Sequence, residues 1–395
     1  MNQELIRIVD NIARDKNIDR ESIFQDLESA MVSGARKHFG HTDAEFSVHI
    51  DRVSGVISAF KDEEPIDIKD LGRIPAQTVK QVMIQKIKAD ERGSIFAEYA
   101  QRKGEIITGA VIRKDRGKVV IGMPNRVEAE LPKNEQIAGE SYRTGETIRA
   151  MILDVKEGTS QIKIKLSRTH PDFVRRLFEL EVPEVSDGIV EIRSLSREAG
   201  YRTKIAVESL DERIDAIGAC VGVRGSRIKS IVDELGGEKI DIVPWSESSQ
   251  NFILNAVKPA NASEITLCFE LNKAVVVVAE DQLSLAIGRH GQNVRLAARL
   301  TDWDIEILTP AEYNQSVTNL TAALQSLLAE DANLIDELLA IGIISVDDLD
   351  EVGTEALVEE LGFSEDFAKK IIAIAREKVQ EEYADAAKPK EKAAE

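Results

Sequence analysis

The chain has 395 residues, enough for several domains with separate hydrophobic cores. It carries 51 Lys and Arg against 70 Asp and Glu, a net charge of −19, which excludes a uniformly basic surface. The acidic excess is concentrated in residues 309–395, which hold 7 basic and 20 acidic groups. Cys220 and Cys268 lie in apolar runs and predict buried thiols rather than disulfides, and no stretch resembles a secretory signal or a membrane helix. These features predict a soluble cytoplasmic protein.

Residues 1–104 are predicted to form an α+β domain. Two amphipathic helices come first, and Asp19 is the expected N-cap of the second. Apolar residues alternate over 46–50 and again over 56–60, which predicts a β-hairpin. A long helix with apolar stripes is predicted to follow from Pro75.

A resemblance to the NusA family of bacterial transcription elongation factors is carried by two stretches in this region. They are Ala76-Gln77-Thr78-Val79-Lys80-Gln81-Val82 and Arg102-Lys103-Gly104-Glu105-Ile106-Ile107-Thr108-Gly109. In that family the N-terminal domain docks on RNA polymerase beside the RNA exit channel. The resemblance therefore implies that residues 1–104 bind RNA polymerase.

Residues 105–168 are predicted to form a small closed β-barrel of the OB type, because short alternating runs are separated by Gly, Pro, Asn and Asp. The expected strands are 107–112, 118–121, 127–131, 147–155 and 162–166. The segment resembles the S1 domain of the NusA family, with Asp115-Arg116-Gly117 in its first hairpin. Basic residues at this hairpin are predicted phosphate contacts, with a solvated charge cluster as the alternative; they are Arg113, Lys114, Arg116 and Lys118. Because Tyr142 is the one aromatic residue of the segment, we expect backbone contact rather than base stacking.

After a linker helix at 169–187, the chain contains an internal repeat over 188–246 and 247–309. Each unit has strands, a helix, a Gly-x-x-Gly turn, a second helix and a final strand. This order predicts two type II KH domains, which are α/β units that bind single-stranded nucleic acid. The stretches 235–243 and 285–295 are again similar to the NusA family.

The two glycine turns are the predicted RNA-binding elements. Without Cβ atoms they let a sugar-phosphate backbone approach, and the helix that follows offers free N–H groups. A single glycine pair is more often a helix C-cap and tight turn, but two copies in matching contexts favour phosphate binding. The predicted contacts lie in or just after the turns and are Gly222, Val223, Arg224, Gly225, Ser226 and Arg227, then Gly288, Arg289, His290, Gly291, Gln292, Asn293 and Arg295.

Residues 318–380 are predicted to form an all-α, acidic helix-hairpin-helix domain. No Lys or Arg occurs between Leu300 and Ala368, so this domain should repel nucleic acid and bind a basic protein surface, such as that of another transcription factor. It resembles the acidic repeat that some NusA proteins carry. A further hypothesis is that this acidic segment folds over the cationic turns and competes with RNA. The tail 381–395 is predicted to be disordered.

Motifs for catalysis are absent from the sequence, which has no phosphate loop, zinc-protease motif or nucleophile elbow. An enzyme, a cofactor and a metal site are therefore not expected, and the histidines near the first hairpin are predicted surface residues: His38, His41 and His49.

The resemblance implies a monomeric RNA-binding elongation factor that binds core RNA polymerase and nascent RNA and modulates pausing, termination and antitermination. Two alternatives stay open: a polymerase-independent S1/KH scaffold in translation or RNA decay, and a processive ribonuclease, although no segment has room for its catalytic domain.

Overall fold

The computed structural model describes residues 2–16, 19–39, 44–66, 76–158, 161–328 and 331–386. His41, the side chains of His38 and of residues 76–83, and the last part of the predicted tail, 387–395, lie outside that description. The chain divides into two units, one comprising 1–136 and 141–168 and the other comprising 137–140 and 169–395. None of the described helices combines the length and apolar character needed to cross a bilayer.

The first unit begins with the predicted α+β arrangement. Its elements are α1 (Asn2–Lys16), α2 (Arg20–His38), β1 (Phe46–Ile50), β2 (Ile57–Lys61), β3 (Glu64–Ile66) and α3 (Ala76–Gln101). The Asp19 side chain accepts a hydrogen bond from the N–H of Ser22, which confirms the predicted N-cap. Strand β3 was not predicted, because three residues that include Pro65 are too few to show an alternation.

The closed barrel of this unit confirms the OB-type prediction. Its strands are β4 (Ile106–Asp115), β5 (Lys118–Gly122), β6 (Glu128–Leu131), β7 (Thr147–Glu157) and β8 (Ile162–Ser167), in the order β4-β5-β6-β8-β7. A Cβ at Gly109 would lie 2.5 Å from Ile121 Cγ2 and 2.6 Å from the carbonyl oxygen of Gly122, so glycine is required where these strands approach.

The C-terminal end of α3 belongs to the barrel core rather than to the helical region before it. Tyr99 is buried among the inward-facing barrel residues, and Ile95 packs against the same cluster. Tyr142 lies in this core as well. A boundary at residue 104 therefore separates Tyr99 from the side chains that cover it.

The second unit contains the two predicted KH domains. Its elements up to the last KH strand are α4 (Pro171–Glu181), α5 (Pro183–Ser186), β9 (Val190–Glu198), β10 (Arg202–Ser209), α6 (Ala216–Val221), α7 (Ser226–Glu234), β11 (Lys239–Pro244), α8 (Ser249–Val257), β12 (Ala262–Cys268), β13 (Lys273–Val278), α9 (Glu280–Ile287), α10 (Gln292–Thr301) and β14 (Asp304–Leu308). The sheets have the orders β11-β10-β9 and β12-β13-β14. The middle strands, β10 and β13, are antiparallel to the strands that precede them in the chain, β9 and β12, and parallel to the final strands, β11 and β14. The helix before the first glycine turn begins at Ala216, where Asp215 accepts the capping hydrogen bond from the N–H of Ile217.

The two KH domains pack against each other. Phe252 and Ile253 of α8 share one hydrophobic core with Ala206 of β10 and Val276 of β13. Two hydrogen bonds add to this contact, one from Ser194 Oγ to the Leu300 carbonyl at 2.8 Å and one from Lys204 Nζ to the Lys258 carbonyl at 3.0 Å. The two KH domains are thus held in a fixed arrangement by a shared core and by hydrogen bonds.

The C-terminal region is helical, as predicted, and consists of α11 (Pro310–Ala323), α12 (Leu334–Ala340), α13 (Val346–Leu361) and α14 (Glu365–Ala386). Helix α11 contacts β13 and β14. Lys273 Nζ lies 2.7 Å from carboxylate oxygens of both Asp348 and Glu306. A Cβ at Gly342, where φ is +87°, would lie 2.2 Å from the Leu267 carbonyl oxygen. The C-terminal helical domain therefore packs directly on the β12–β13 hairpin. Helix α14 continues to Ala386, because the Ala- and Glu-rich start of the predicted tail favours helix.

Candidate nucleic-acid interface

The two Gly-x-x-Gly turns have the same backbone conformation. Gly222 has φ and ψ of 74° and 174°, and Gly288 has 74° and 176°. Arg224 and His290, the third residues of the turns, have φ of 53° and 54°. A positive φ is uncommon for side chains of this kind, and such strain concentrates at functional sites. The sequence repeat is therefore also a structural repeat.

The tips of both turns are exposed and cationic. Val223 has 82% of its surface exposed, and Arg224, Arg289 and His290 are also exposed. None of these three basic residues has an ion pair within the described part of the chain. Helices α7 and α10 follow directly, and no side chain caps their first N–H groups. The first N–H of each helix, that of Ser226 or Gln292, donates to the carbonyl of Val223 or Arg289. Each turn thus presents a positive helix end and a basic side chain to the same space, which suits a phosphate group.

Arg227 and Asn293 hold the turns in place from behind. Each follows the first glycine of its turn by five residues. Arg227 Nη1 donates to the Ala219 carbonyl at 2.6 Å and to Glu184 Oε2 at 2.8 Å. The Asn293 amide donates to the carbonyls of Val257 at 2.9 Å, Ala286 at 3.0 Å and Leu285 at 3.3 Å.

These contacts correct the prediction that Asn293 touches RNA. Asn293 is fully buried, so its amide cannot reach a ligand, and its hydrogen bonds join α9, α10 and α8. Arg227 is partly exposed, but Glu184 compensates its charge. Both side chains therefore position their glycine turns. A sequence motif alone does not show whether a residue has this role or contacts the ligand.

Gln292 and Arg295 are engaged with the first KH domain. Gln292 donates to Glu198 Oε2 at 2.7 Å, and Arg295 lies 3.1 Å from Glu198 Oε1. Arg295 also donates to the His290 carbonyl at 2.9 Å, and about half of its side chain, 49%, is exposed. Ser226 is exposed as the first residue of α7. Glu198 was not anticipated, since its relation to the turn exists only in the packed KH pair.

The basic hairpin of the barrel is only partly available. Arg113 pairs with Glu128 at 2.6 Å, and Lys118 pairs with Glu130 at 3.0 Å. The hydrogen bonds to Glu128 raise the pKa of the Arg113 guanidinium above its ordinary value. Lys114 and Arg116 are exposed and have no ion pair among the described residues. Arg116 stands at the tip with φ of 48°.

A depression of about 250 Å³ lies beside this hairpin on the barrel. Lys118, Lys156, Lys163 and Lys165 line it together with Glu130 and Asp154. Lys156 was missed by the sequence analysis, although Lys156 and Lys163 are cross-strand partners in β7 and β8. Lys118, Lys156 and Lys165 pair with Glu130, Asp154 and Glu135, so Lys163 is the lining cation without an ion pair among the described residues. The buried Tyr142 is not available for base stacking.

Removing Lys114 and Arg116 should weaken RNA binding more than removing Arg113 and Lys118. For the double substitution Lys114→Gln and Arg116→Asn we expect an affinity for single-stranded RNA about 5-fold lower, since two uncompensated cations are lost. For Arg113→Gln with Lys118→Gln we expect a change below about 2-fold, because carboxylates already compensate these charges. Fluorescence anisotropy with a labelled RNA at 100 mM salt, on the order of physiological, measures both. Equal losses in the two variants would contradict this assignment.

Four family models match the chain. They describe the NusA N-terminal domain at residues 4–67, the S1 RNA binding domain at 100–167, the NusA-like first KH domain at 168–245 and the NusA-like second KH domain at 249–315. The transcription termination/antitermination protein NusA of Halalkalibacterium halodurans is 38% identical over 369 residues, which cover 85% of this chain and 96% of that protein. The chain belongs to the NusA family.

Further relatives carry the same name. NusA of Bacillus subtilis (strain 168) is 38% identical over 338 residues, covering 78% of this chain and 91% of that protein. NusA of Rickettsia conorii is 34% identical over 411 residues, covering 94% and 81%. The S1 model matches the strands of the barrel, and the two KH models divide near residue 245, between β11 and α8. The resemblance inferred from short sequence stretches is thereby confirmed over most of the chain.

Proposed function

We propose that this NusA-family protein is a cytoplasmic, monomeric transcription elongation factor that binds core RNA polymerase and nascent single-stranded RNA. Through these contacts it modulates pausing, termination and antitermination. The observation that carries the proposal is the pair of turns with the same conformation, each with exposed cations and an uncapped helix start, on two KH domains that share one core. The names of the relatives, transcription termination/antitermination protein NusA, support the regulatory role.

RNA phosphates bind at the starts of α7 and α10, where helix N–H groups and the turn cations converge. The net charge of −19 makes these cations local exceptions on an acidic surface. A phosphate contact of this kind is modest, and its strength falls with salt. Tethering to polymerase raises the effective RNA concentration, so no single contact needs high affinity.

The polymerase contact is best tested with residues 1–168 rather than 1–104. The shorter fragment would expose Tyr99 and Ile95, which are covered by the barrel. We expect immobilised 1–168 to retain core RNA polymerase and 169–395 to retain much less. If 1–168 retains ribosomal components and no polymerase, the protein is instead the polymerase-independent scaffold.

A further inference from the structure

An aromatic pair stands at the end of the second KH domain, with Phe269 exposed and Trp303 half-buried. Phe269 lies in the turn between β12 and β13 and has 69% of its surface exposed. Its ring is perpendicular to that of Trp303, with 5.3 Å between ring centroids and 80° between planes. The carboxylates of Glu270, Asp302 and Asp304 are exposed beside these rings along the chain. We refer to these five residues as the aromatic–acidic patch.

The patch is held together by hydrogen bonds of Asn272. Its N–H donates to the Phe269 carbonyl at 3.1 Å, and its carbonyl accepts from the N–H of Asp304 at 2.9 Å. Its side-chain amide donates to the Asp302 carbonyl. The turn with Phe269 and the segment with Trp303 are therefore fixed to each other before any ligand arrives, which lowers the entropy cost of binding.

The patch is electrostatically negative. Glu270, Asp302 and Asp304 have no ion pair among the residues that the structure describes. Lys273, the basic residue next along the turn, is paired with Glu306 and Asp348. Arg299 lies in the last turn of α10. Helix α10 ends at Thr301, so its negative dipole end adds to the charge of the carboxylates.

The patch lies at the opposite end of α10 from the glycine turn. Helix α10 has 10 residues and begins directly after Gly291, so the two ends are about 15 Å apart. Its positive end suits phosphate, and its negative end suits a cation. One helix thus separates an anion-binding end from a cation-binding end.

We propose that the aromatic–acidic patch binds a basic segment of a partner protein, with an Arg or Lys side chain over the Phe269 ring between Glu270 and Asp302. A cation over an aromatic face is attracted by the ring, and the carboxylates add charge complementarity. RNA would be repelled by the same carboxylates, although its bases can stack on an exposed ring. This site lies at the other end of α10 from the proposed RNA contacts, so it can be occupied while RNA binds the turn. Cys268 and Leu271, on either side of Phe269 and Glu270, pack against the acidic helical domain.

The full chain can be tested with a synthetic 12-residue peptide that alternates Arg and Ser, roughly the length that an extended segment needs to span the patch. The chain has two tryptophans, so Trp245→Phe leaves Trp303 as the fluorescent reporter. We expect saturable quenching of Trp303 by this peptide and none by a peptide with Gln in place of Arg. Isothermal titration of the chain with both tryptophans intact gives the same affinity without the reporter substitution.

Variants of the patch should weaken peptide binding. We expect Phe269→Ala to lower the affinity about 5-fold and Asp302→Asn with Asp304→Asn to lower it by a similar factor, about 5-fold. Two matched controls should leave it within about 2-fold. Tyr201→Ala removes an aromatic residue that is 64% exposed in the corresponding turn of the first KH domain, and Glu359→Gln with Glu360→Gln removes two exposed carboxylates from α13.

Two results would overturn the proposal. Equal peptide affinity for Phe269→Ala and Tyr201→Ala would show that the peptide responds only to net charge. Loss of binding to a single-stranded oligouridine in Phe269→Ala, with peptide binding unchanged, would show that the ring stacks on RNA bases instead. Because the peptide titration uses neither RNA polymerase nor RNA, failure of peptide binding is distinguishable from failure of the proposed function.

Discussion

Arg224→Asp combined with His290→Asp is expected to lower the affinity for single-stranded RNA about 50-fold, on the order of two lost phosphate contacts with added repulsion. Each substitution places a carboxylate at a helix start where a phosphate is proposed to bind. The backbone should tolerate both, because φ at these positions is 53° and 54° and aspartate is among the residues that adopt this conformation most readily. Anisotropy with labelled RNA at several salt concentrations should show a weaker salt dependence as well as lower affinity.

The matched control is Arg224→Asn with His290→Asn, which keeps the backbone preference and adds no negative charge. It should lower the affinity about 5-fold, since only the cationic contacts are lost. Urea denaturation followed by tryptophan fluorescence reports on the KH pair, because Trp245 and Trp303 both pack against its core. Unchanged RNA affinity in the aspartate variant would mean that the turns are only helix caps and that the barrel carries the RNA contact.

Gly288→Ala is expected to destabilise the KH pair by about 4 kcal/mol, and Gly222→Ala by about 2 kcal/mol. Both glycines combine a φ of 74° with a ψ near 175°, a region that only glycine adopts without strain. A Cβ at Gly288 would also lie 2.8 Å from the backbone nitrogen of Asn293, which cannot move without disturbing α10. At Gly222 the three nearest atoms belong to the Arg227 side chain, with Cγ at 2.7 Å, so a Cβ there would disturb the hydrogen bonds of Arg227 but no backbone atom.

Gly291→Ala provides the control for the second turn. Gly291 has a φ of 71° and a ψ of 15°, and the nearest atom to its Cβ would be Arg295 Nη2 at 3.6 Å. The free energy of unfolding in urea should fall by only about 1 kcal/mol, the cost of alanine in the left-handed region. If Gly291→Ala is as costly as Gly288→Ala, the close contact with Asn293 does not decide the residue at position 288.

The hypothesis that the acidic segment covers the cationic turns does not match this structure. The tips of both turns are exposed, while the helical domain sits on the β12–β13 hairpin through Gly342 and the Lys273–Asp348 ion pair. A truncation near Thr309 would also remove α11, which contacts β13 and β14. Such a truncation changes the second KH domain itself, so its effect on RNA affinity would not report on charge alone.

Local patterns in the sequence determined much of this protein. The barrel strands follow from alternation of apolar and polar residues, since that period is imposed by the strand itself. The glycine turns follow from a repeated motif, because a positive φ has to be supplied at the same place in each copy. The N-cap at Asp19 was predictable because capping depends on residues adjacent in the chain, and the burial of both cysteines was predictable from the apolar runs around them. Each of these features depends on residues close in the chain.

Only the tertiary structure decided which of the predicted contact residues face a ligand. Arg295 and Glu198 are 97 positions apart, Arg227 and Glu184 are 43 apart, and Lys273 and Asp348 are 75 apart. No local periodicity relates such residues. Asn293 illustrates the consequence, since the same motif position that predicts an RNA contact is buried once α8, α9 and α10 pack together. A motif specifies the path of the backbone, but packing between distant segments determines which side chains are left for RNA or protein partners.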